Sequence, residues 1–109
     1  MLSFELVNLC DHEVRIRDCN GKFFTLPPCE GEPARVQNEY APVFYLGTIG
    51  VQRRIAPSTT NLPPTTEGTM YVVSRVVASA NRSRKDLLIP GPQFYSDDGV
   101  RYCAGLEII

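Results

Sequence analysis

The stretch EVRIRDCNGKFFTL, residues 13–26, constrains this chain more than any other. Its tip, Asp18-Cys19-Asn20-Gly21, suits a type I turn followed by a glycine in the left-handed conformation. A three-residue loop of that kind pairs Asp18 with Lys22, Ile16 with Phe24 and Val14 with Leu26. The apolar pairs then share one face of a β-hairpin, while Arg15 and Arg17 point to the other. A two-residue Asn20-Gly21 loop would set Ile16 opposite Thr25 and scatter the apolar set, so the longer loop is preferred. Val14, Ile16, Phe24 and Leu26 are therefore predicted in the core.

The same short-strand grammar continues on both sides. Residues 3–9, SFELVNL, read as a first strand, and Pro27-Pro28 ends the hairpin because proline cannot donate to a ladder. Ala34-Arg35-Val36 reads as a strand, as do VFYL (43–46) and TIGVQRRIA (48–56), the last two joined by a bend at Gly47. Residues 57–69, rich in threonine and proline, read as an exposed loop. QFYSDDGVRYCAGLEII reads as a second hairpin that turns at Asp97-Asp98-Gly99, with the same turn device as the first. With 109 residues, nine prolines and eight glycines, the chain is predicted to be one domain. Its expected class is mainly β, a small compact barrel or sandwich with one short α-helix over about 75–83.

A formal net charge of -1 points away from duplex nucleic acid, which asks for a basic surface. No run approaches the ~18 apolar residues of a membrane span, and the acidic N-terminal stretch does not read as a signal peptide. A cytoplasmic protein is expected. Cys10, Cys19, Cys29 and Cys103 form no C-x-x-C pair and read as thiols. One histidine and the missing metal-ligand spacings call for no metal and no cofactor.

One segment carries the chemistry, TMYVVSRVVASANRSRKDLLIPGP from Thr69 to Pro92. MYVVS reads as a buried strand and RVVASANR as a short helix with Val76, Val77 and Ala80 on its inner face. Ser74 stands where an N-cap belongs. A nucleophile elbow would need small residues two positions either side, and Val72 and Val76 stand there. Arg75 lies at the helix N-terminus, an anion-attracting end. Arg82, Arg84 and Lys85 gather at the other end, beside the apolar Leu87-Leu88-Ile89 run and the rigid Pro90-Gly91-Pro92 turn, which together suggest a pocket wall.

The chain resembles a set of small phage, prophage and bacterial proteins of unassigned biochemistry. The resemblance rests on Asn8-Leu9 with His12, Pro27-Pro28, Ala34-Arg35-Val36, Gly68 to Ser74, and the alanines Ala78 and Ala80. Towards the end it rests on Arg84, Asp86-Leu87, Pro90-Gly91, Asp98-Gly99 and Cys103-x-Gly105-Leu106. Cys10-Asp11 departs from the Thr-Pro such chains usually carry before the histidine. The resemblance implies a viral or prophage setting, in which small proteins counter host defences by binding a nucleotide signal or a host protein.

The leading expectation is a binding protein that sequesters a small phosphorylated or nucleotide-derived ligand. Its site would combine Ser74, Arg75, Arg82, Arg84, Lys85, Arg35 and His12, with Tyr71 or Tyr45 offering a ring for a base. The alternative is an inhibitor that binds a host defence protein through an edge strand or the acidic 30–39 segment. A small hydrolase or lyase with His12 as general base, oriented by Asp86 or Asp11, is the third reading. Self-association stays open.

Overall fold

The chain's core strands are apolar on both sides, and that dictates a layered arrangement. The computed structural model describes residues 4–55 and 58–109. Its strands are β1 (Glu5–Asn8), β2 (Val14–Arg17), β3 (Phe23–Leu26), β4 (Arg35–Gln37), β5 (Tyr40–Leu46), β6 (Ile49–Arg54) and β7 (Ser58–Thr60). There follow β8 (Thr69–Val72), helix α1 (Arg75–Ala80), β9 (Leu87–Pro90), β10 (Gln93–Tyr95), β11 (Arg101–Ala104) and β12 (Leu106–Glu107). One sheet has the order β1-β8-β9-β12, a second β10-β11-β2-β3, and β4-β7 and β5-β6 form two-stranded ribbons. The protein is mainly β with one short helix, as the turn signals predict, and the sheets stack like a sandwich rather than closing into a barrel.

β8 pairs in parallel with both β1 and β9. Parallel neighbours need a crossover, and α1 supplies it between β8 and β9. The strand-to-helix switch at Ser74 is thus the first corner of a β-α-β unit. Strands covered on both faces lose polar alternation, and MYVV shows it. Tyr71 and Val73 pack with Val77, Ala78, Leu87, Ile89 and Ala34 on the helix side. Val72 packs with Val14, Ile16 and Cys103 on the side of the second sheet.

The first hairpin has the predicted register: Val14 pairs with Leu26, Ile16 with Phe24, and Asp18 N–H donates to the Lys22 carbonyl. Gly21 closes the turn at φ 81°. The second hairpin repeats the device, with Ser96 N–H donating to Val100 and Gly99 N–H to Ser96. Gly91 is required by close approach: a Cβ there would lie 2.7 Å from the Ala104 carbonyl oxygen.

Four expectations need correction. Phe24 is 54% exposed, not core; β3 is an edge strand, and the apolar cover ends with Leu26. The helix stops at Ala80 rather than 83, because Asn81 caps it, its Nδ2 donating to the Val77 carbonyl at 2.9 Å. Its buried residues are Val77 and Ala78, while Val76 and Ala80 face out. Part of the threonine-rich loop forms β7, antiparallel to β4, where β-branched Thr59 pairs with Val36. Residues 3, 56 and 57 of the predicted segments lie outside the described ones.

The β5–β6 hairpin stands off this body. The radius of gyration is 17.8 Å, whereas a compact chain of this length has one of about 13 Å. Strands of six and seven residues reach about 20 Å, and β5 and β6 make their extensive contacts with each other alone.

Candidate functional site

The residues singled out from the sequence gather at the two ends of α1 rather than in one place. At the start, Ser74 has extended backbone (φ −70°, ψ 158°) and its hydroxyl accepts the Val77 N–H. It is an N-cap. Around it a cavity of about 80 Å³ brings Ser74, His12 and Arg35 together with Cys10, Asp11 and Ala34. That volume holds water rather than a nucleotide. Arg35 Nη2 already meets Asp11 Oδ2 at 2.9 Å, with both side chains about 60% exposed. An exposed pair of this kind adds little stability, but it occupies the guanidinium.

His12 lies in the turn between β1 and β2 with Nδ1 3.0 Å from the Glu13 carbonyl oxygen. The residue that fixes this turn is Asn8, which sequence reasoning did not single out. It is buried; its Nδ2 donates to the carbonyls of His12 and Pro27, and its Oδ1 accepts the Cys10 N–H. A buried amide with all three bonds made is a structural anchor. Its position in the N-L-x-x-H pattern was the available signal.

At the far end of α1 a cavity of about 280 Å³ is lined by Ala78, Arg82, Arg84, Lys85, Leu87, Ile108 and Ile109. Of the wall expected beside the basic cluster only Leu87 lines this cavity; Leu88, Ile89 and the Pro90-Gly91-Pro92 turn do not, and Ile108 and Ile109 take their place. Within the cluster the three cations differ. Arg84 binds the buried Asp86 through both Nε and Nη2, and that hydrogen bonding holds the Asp86 carboxyl below its ordinary range against the opposing effect of burial. Arg82 and Lys85 make no ion pair among the described residues.

Besides Ser74, His12 and Arg35, three further expected residues fall outside this cavity. Arg75, at the other end of the helix, reaches toward Glu107 at 4.0 Å. Six residues of helix span about 9 Å, enough to separate it from the cluster. Tyr71 is buried in the core at 6% exposure, so its ring is not available to a base, a correction that follows from its position in a doubly covered strand. Tyr45 is exposed but lies on the β5–β6 hairpin. For the general-base reading, neither carboxylate is positioned: Asp11 bonds Arg35 and Asp86 bonds Arg84.

A larger cavity of about 510 Å³ lies between β1 and residues 26–30. Glu5 and Glu30 line it with no cation, the wrong sign for an anion. The outer face of the second sheet carries an aromatic cluster that sequence reasoning missed: the Phe23 and Tyr102 rings meet edge to face at 5.2 Å, and Phe94 lies 5.9 Å from Tyr102. Arg15 covers one face of the Phe23 ring at 4.2 Å, while Phe23 and Phe94 stay 42% and 48% exposed.

Among the described residues no three His, Cys, Asp or Glu side chains group as for a metal ion, and no helix is long and apolar enough to cross a membrane. The chain matches no protein-family model, no curated protein and no solved structure.

Proposed function

We propose that this chain is a binding protein that sequesters a small phosphorylated or nucleotide-derived ligand at the far end of α1. The observation that carries this is the cavity of about 280 Å³ in which Arg82 and Lys85, both free of ion pairs among the described residues, face an apolar wall of Leu87, Ile108 and Ile109. Ligand pockets run from about 300 Å³ upward and combine apolar lining with a few placed charges. The size restricts the ligand to a mononucleotide or something smaller. Arg82 and Lys85 bind the phosphate, and Arg84, braced by Asp86, presents a fixed guanidinium edge.

Titrating mononucleotides and sugar phosphates against the protein at two salt concentrations tests this. Arg82→Ala and Lys85→Ala are each expected to weaken binding by about 10- to 100-fold, with the loss shrinking at high salt. Arg75→Ala, at the other end of the helix, is expected to bind as the unsubstituted protein does. No binding, or equal affinity in all three variants, overturns the reading. In the phage setting that the resemblance implies, such a protein lowers the free concentration of a host signal.

A protein partner bound through an exposed strand is the second reading. It is supported by the β5–β6 hairpin, on which Phe44, Leu46 and Ile49 are exposed among the described residues.

A further inference from the structure

The second sheet, β10-β11-β2-β3, turns one face to the core and leaves the other open. Val14, Ile16 and Cys103 point inward against Val72. Side chains alternate along a strand, so Arg15, Arg17 and Tyr102 point outward. The ladder sets Phe94 opposite Tyr102 and Phe23 opposite Arg17, which brings both phenylalanines to the same outer face. The rings meet as this register requires, Tyr102 lying 5.2 Å from Phe23 and 5.9 Å from Phe94. The result is a strip of three rings, with the Arg15 guanidinium 4.2 Å over the Phe23 ring at one end. Phe23 and Phe94 keep nearly half of their surface in water.

The charge of this face selects its occupant. Arg15 and Arg17 stand on it, and neither makes an ion pair among the described residues. Thr25, opposite Arg15, and Ala104, level with Arg17, are uncharged. The acids lie at the margins. Glu13 precedes β2 and lines a cavity of about 50 Å³ together with Arg15 and Arg101, so two cations flank it. Asp98 interacts with the charge of Arg15 without pairing with it. Its Oδ1 already accepts the Ser96 hydroxyl and the Val100 N–H within its own turn. In a chain of net charge -1, positive charge and exposed rings coincide here.

We propose that this face binds single-stranded nucleic acid, its bases stacking on Phe23, Tyr102 and Phe94 and its phosphates meeting Arg15 and Arg17. A nucleotide chain repeats an anion and a flat apolar ring at every residue, and the face offers cations and rings side by side. Unpaired bases have free π-faces, and sheet aromatics beside a basic track hold them without reading sequence. Three rings hold about two or three bases, which predicts micromolar rather than nanomolar affinity. A duplex keeps its π-faces inside its own stack and asks for a broader basic surface than two arginines. A protein partner would have to interleave acids with apolar side chains at the same close spacing. This surface is distinct from the mononucleotide-sized cavity at the far end of α1, with which it shares no residue.

Fluorescence anisotropy of labelled oligothymidylate and oligouridylate of about 12 nucleotides tests this, with the duplex of oligothymidylate and its complement for comparison. Saturable binding of at least one single strand is expected below about 200 μM, and the duplex is expected to bind at least about 10-fold more weakly. The tighter of the two strands identifies the sugar as ribose or deoxyribose. Phe23→Leu and Phe94→Leu keep an apolar side chain and lose the ring. Each is expected to weaken binding about 10-fold at an unchanged melting temperature. Arg17→Gln is expected to flatten the slope of log affinity against log salt by about 0.7. Tyr45→Ala removes an exposed ring from the β5–β6 hairpin and is expected to bind as the unsubstituted protein does. No saturable binding of either strand overturns the proposal and leaves the face to a protein partner. A duplex bound as tightly as the single strand overturns it too, as does unchanged affinity in both leucine variants. The small-ligand reading stands or falls separately, on Arg82→Ala and Lys85→Ala with mononucleotides.

Discussion

Arg84 grips Asp86 with both arms of its guanidinium fork, Nε donating to Oδ1 at 2.8 Å and Nη2 to Oδ2 at 2.6 Å. The Asp86 side chain is 7% exposed and that of Arg84 20%, so removing the arginine strands a carboxylate in the core. Arg84→Ala is expected to cost about 3 kcal/mol at neutral pH, read by urea unfolding. The sign of its pH dependence follows from the depressed carboxyl pKa. The pair's stabilisation is complete above the unfolded value of about 4 and is lost as pH falls through the lower, folded value. In the variant, acid neutralises the stranded carboxylate. The stability gap between the two proteins is therefore expected to narrow below about pH 4. A gap that stays constant from neutral to acid would show that the charge is not what the pair contributes.

The first hairpin distinguishes buried from exposed apolar positions on one pair. Ile16 and Phe24 are ladder partners on the same face, yet Ile16 is 8% exposed and Phe24 54%. Ile16→Asp places an unpaired charge between the sheets and is expected to cost roughly 3–5 kcal/mol or to prevent folding. Phe24→Ser, on the open margin of the edge strand, is expected to cost about 1 kcal/mol. Thermal melts of both variants check the difference. Equal losses would mean that the first sheet extends its cover over β3.

These two residues also show how far the sequence could be read. Local rules located the turns, because Asp18 and Gly21 act within their own loop: Asp18 Oδ1 accepts the Asn20 and Lys22 N–H groups. The same held for the Ser74 cap. What failed was set by distant partners. Arg35 and Arg75 read as members of one site because the acids they meet lie far off in sequence, Asp11 under Arg35 and Glu107 beside Arg75. Tyr71 belongs to a strand that already reads as buried, and α1 and β9 pack over its ring, which leaves it no ligand role. The apolar side of the β5–β6 hairpin was hidden by its bulge between Pro42 and Phe44: strict alternation puts Phe44 and Leu46 beside Tyr40 and Pro42, and only the pairing register moves them.

Ser74 tests whether the strand-to-helix corner is held by its cap. A helix of six residues has no stability of its own, so one satisfied N–H matters. Ser74→Ala is expected to lower stability by about 1 kcal/mol, and Ser74→Gly by only a few tenths. Neither is expected to change affinity for phosphorylated ligands, since the larger basic cavity lies at the other end of α1. Chemical denaturation together with ligand titration of the two variants checks both halves. Lost binding at unchanged stability would move the ligand to the Ser74 end.

The four cysteines report on the folded state without any substitution. Cys19 is exposed at the hairpin tip and Cys29 is half-buried, whereas Cys10 and Cys103 are buried. Burial raises the Cys103 thiol pKa. It also raises that of Cys10, helped by the negative charge of Asp11 and by Cys29. Reaction with a disulfide reagent needs both access and thiolate, and the two inner thiols are short of each. Cys103 is further held by its Sγ, which donates to the Arg15 carbonyl across the β11–β2 pairing. With a thiol reagent in native buffer, Cys19 is expected to react first and Cys29 more slowly. Cys10 and Cys103 are expected to react at least about 100-fold more slowly, through opening of the fold. Adding denaturant should merge the phases. If mass spectrometry finds Cys103 labelled as fast as Cys19 in native buffer, the packing of β11 between β10 and β2 is not the one described.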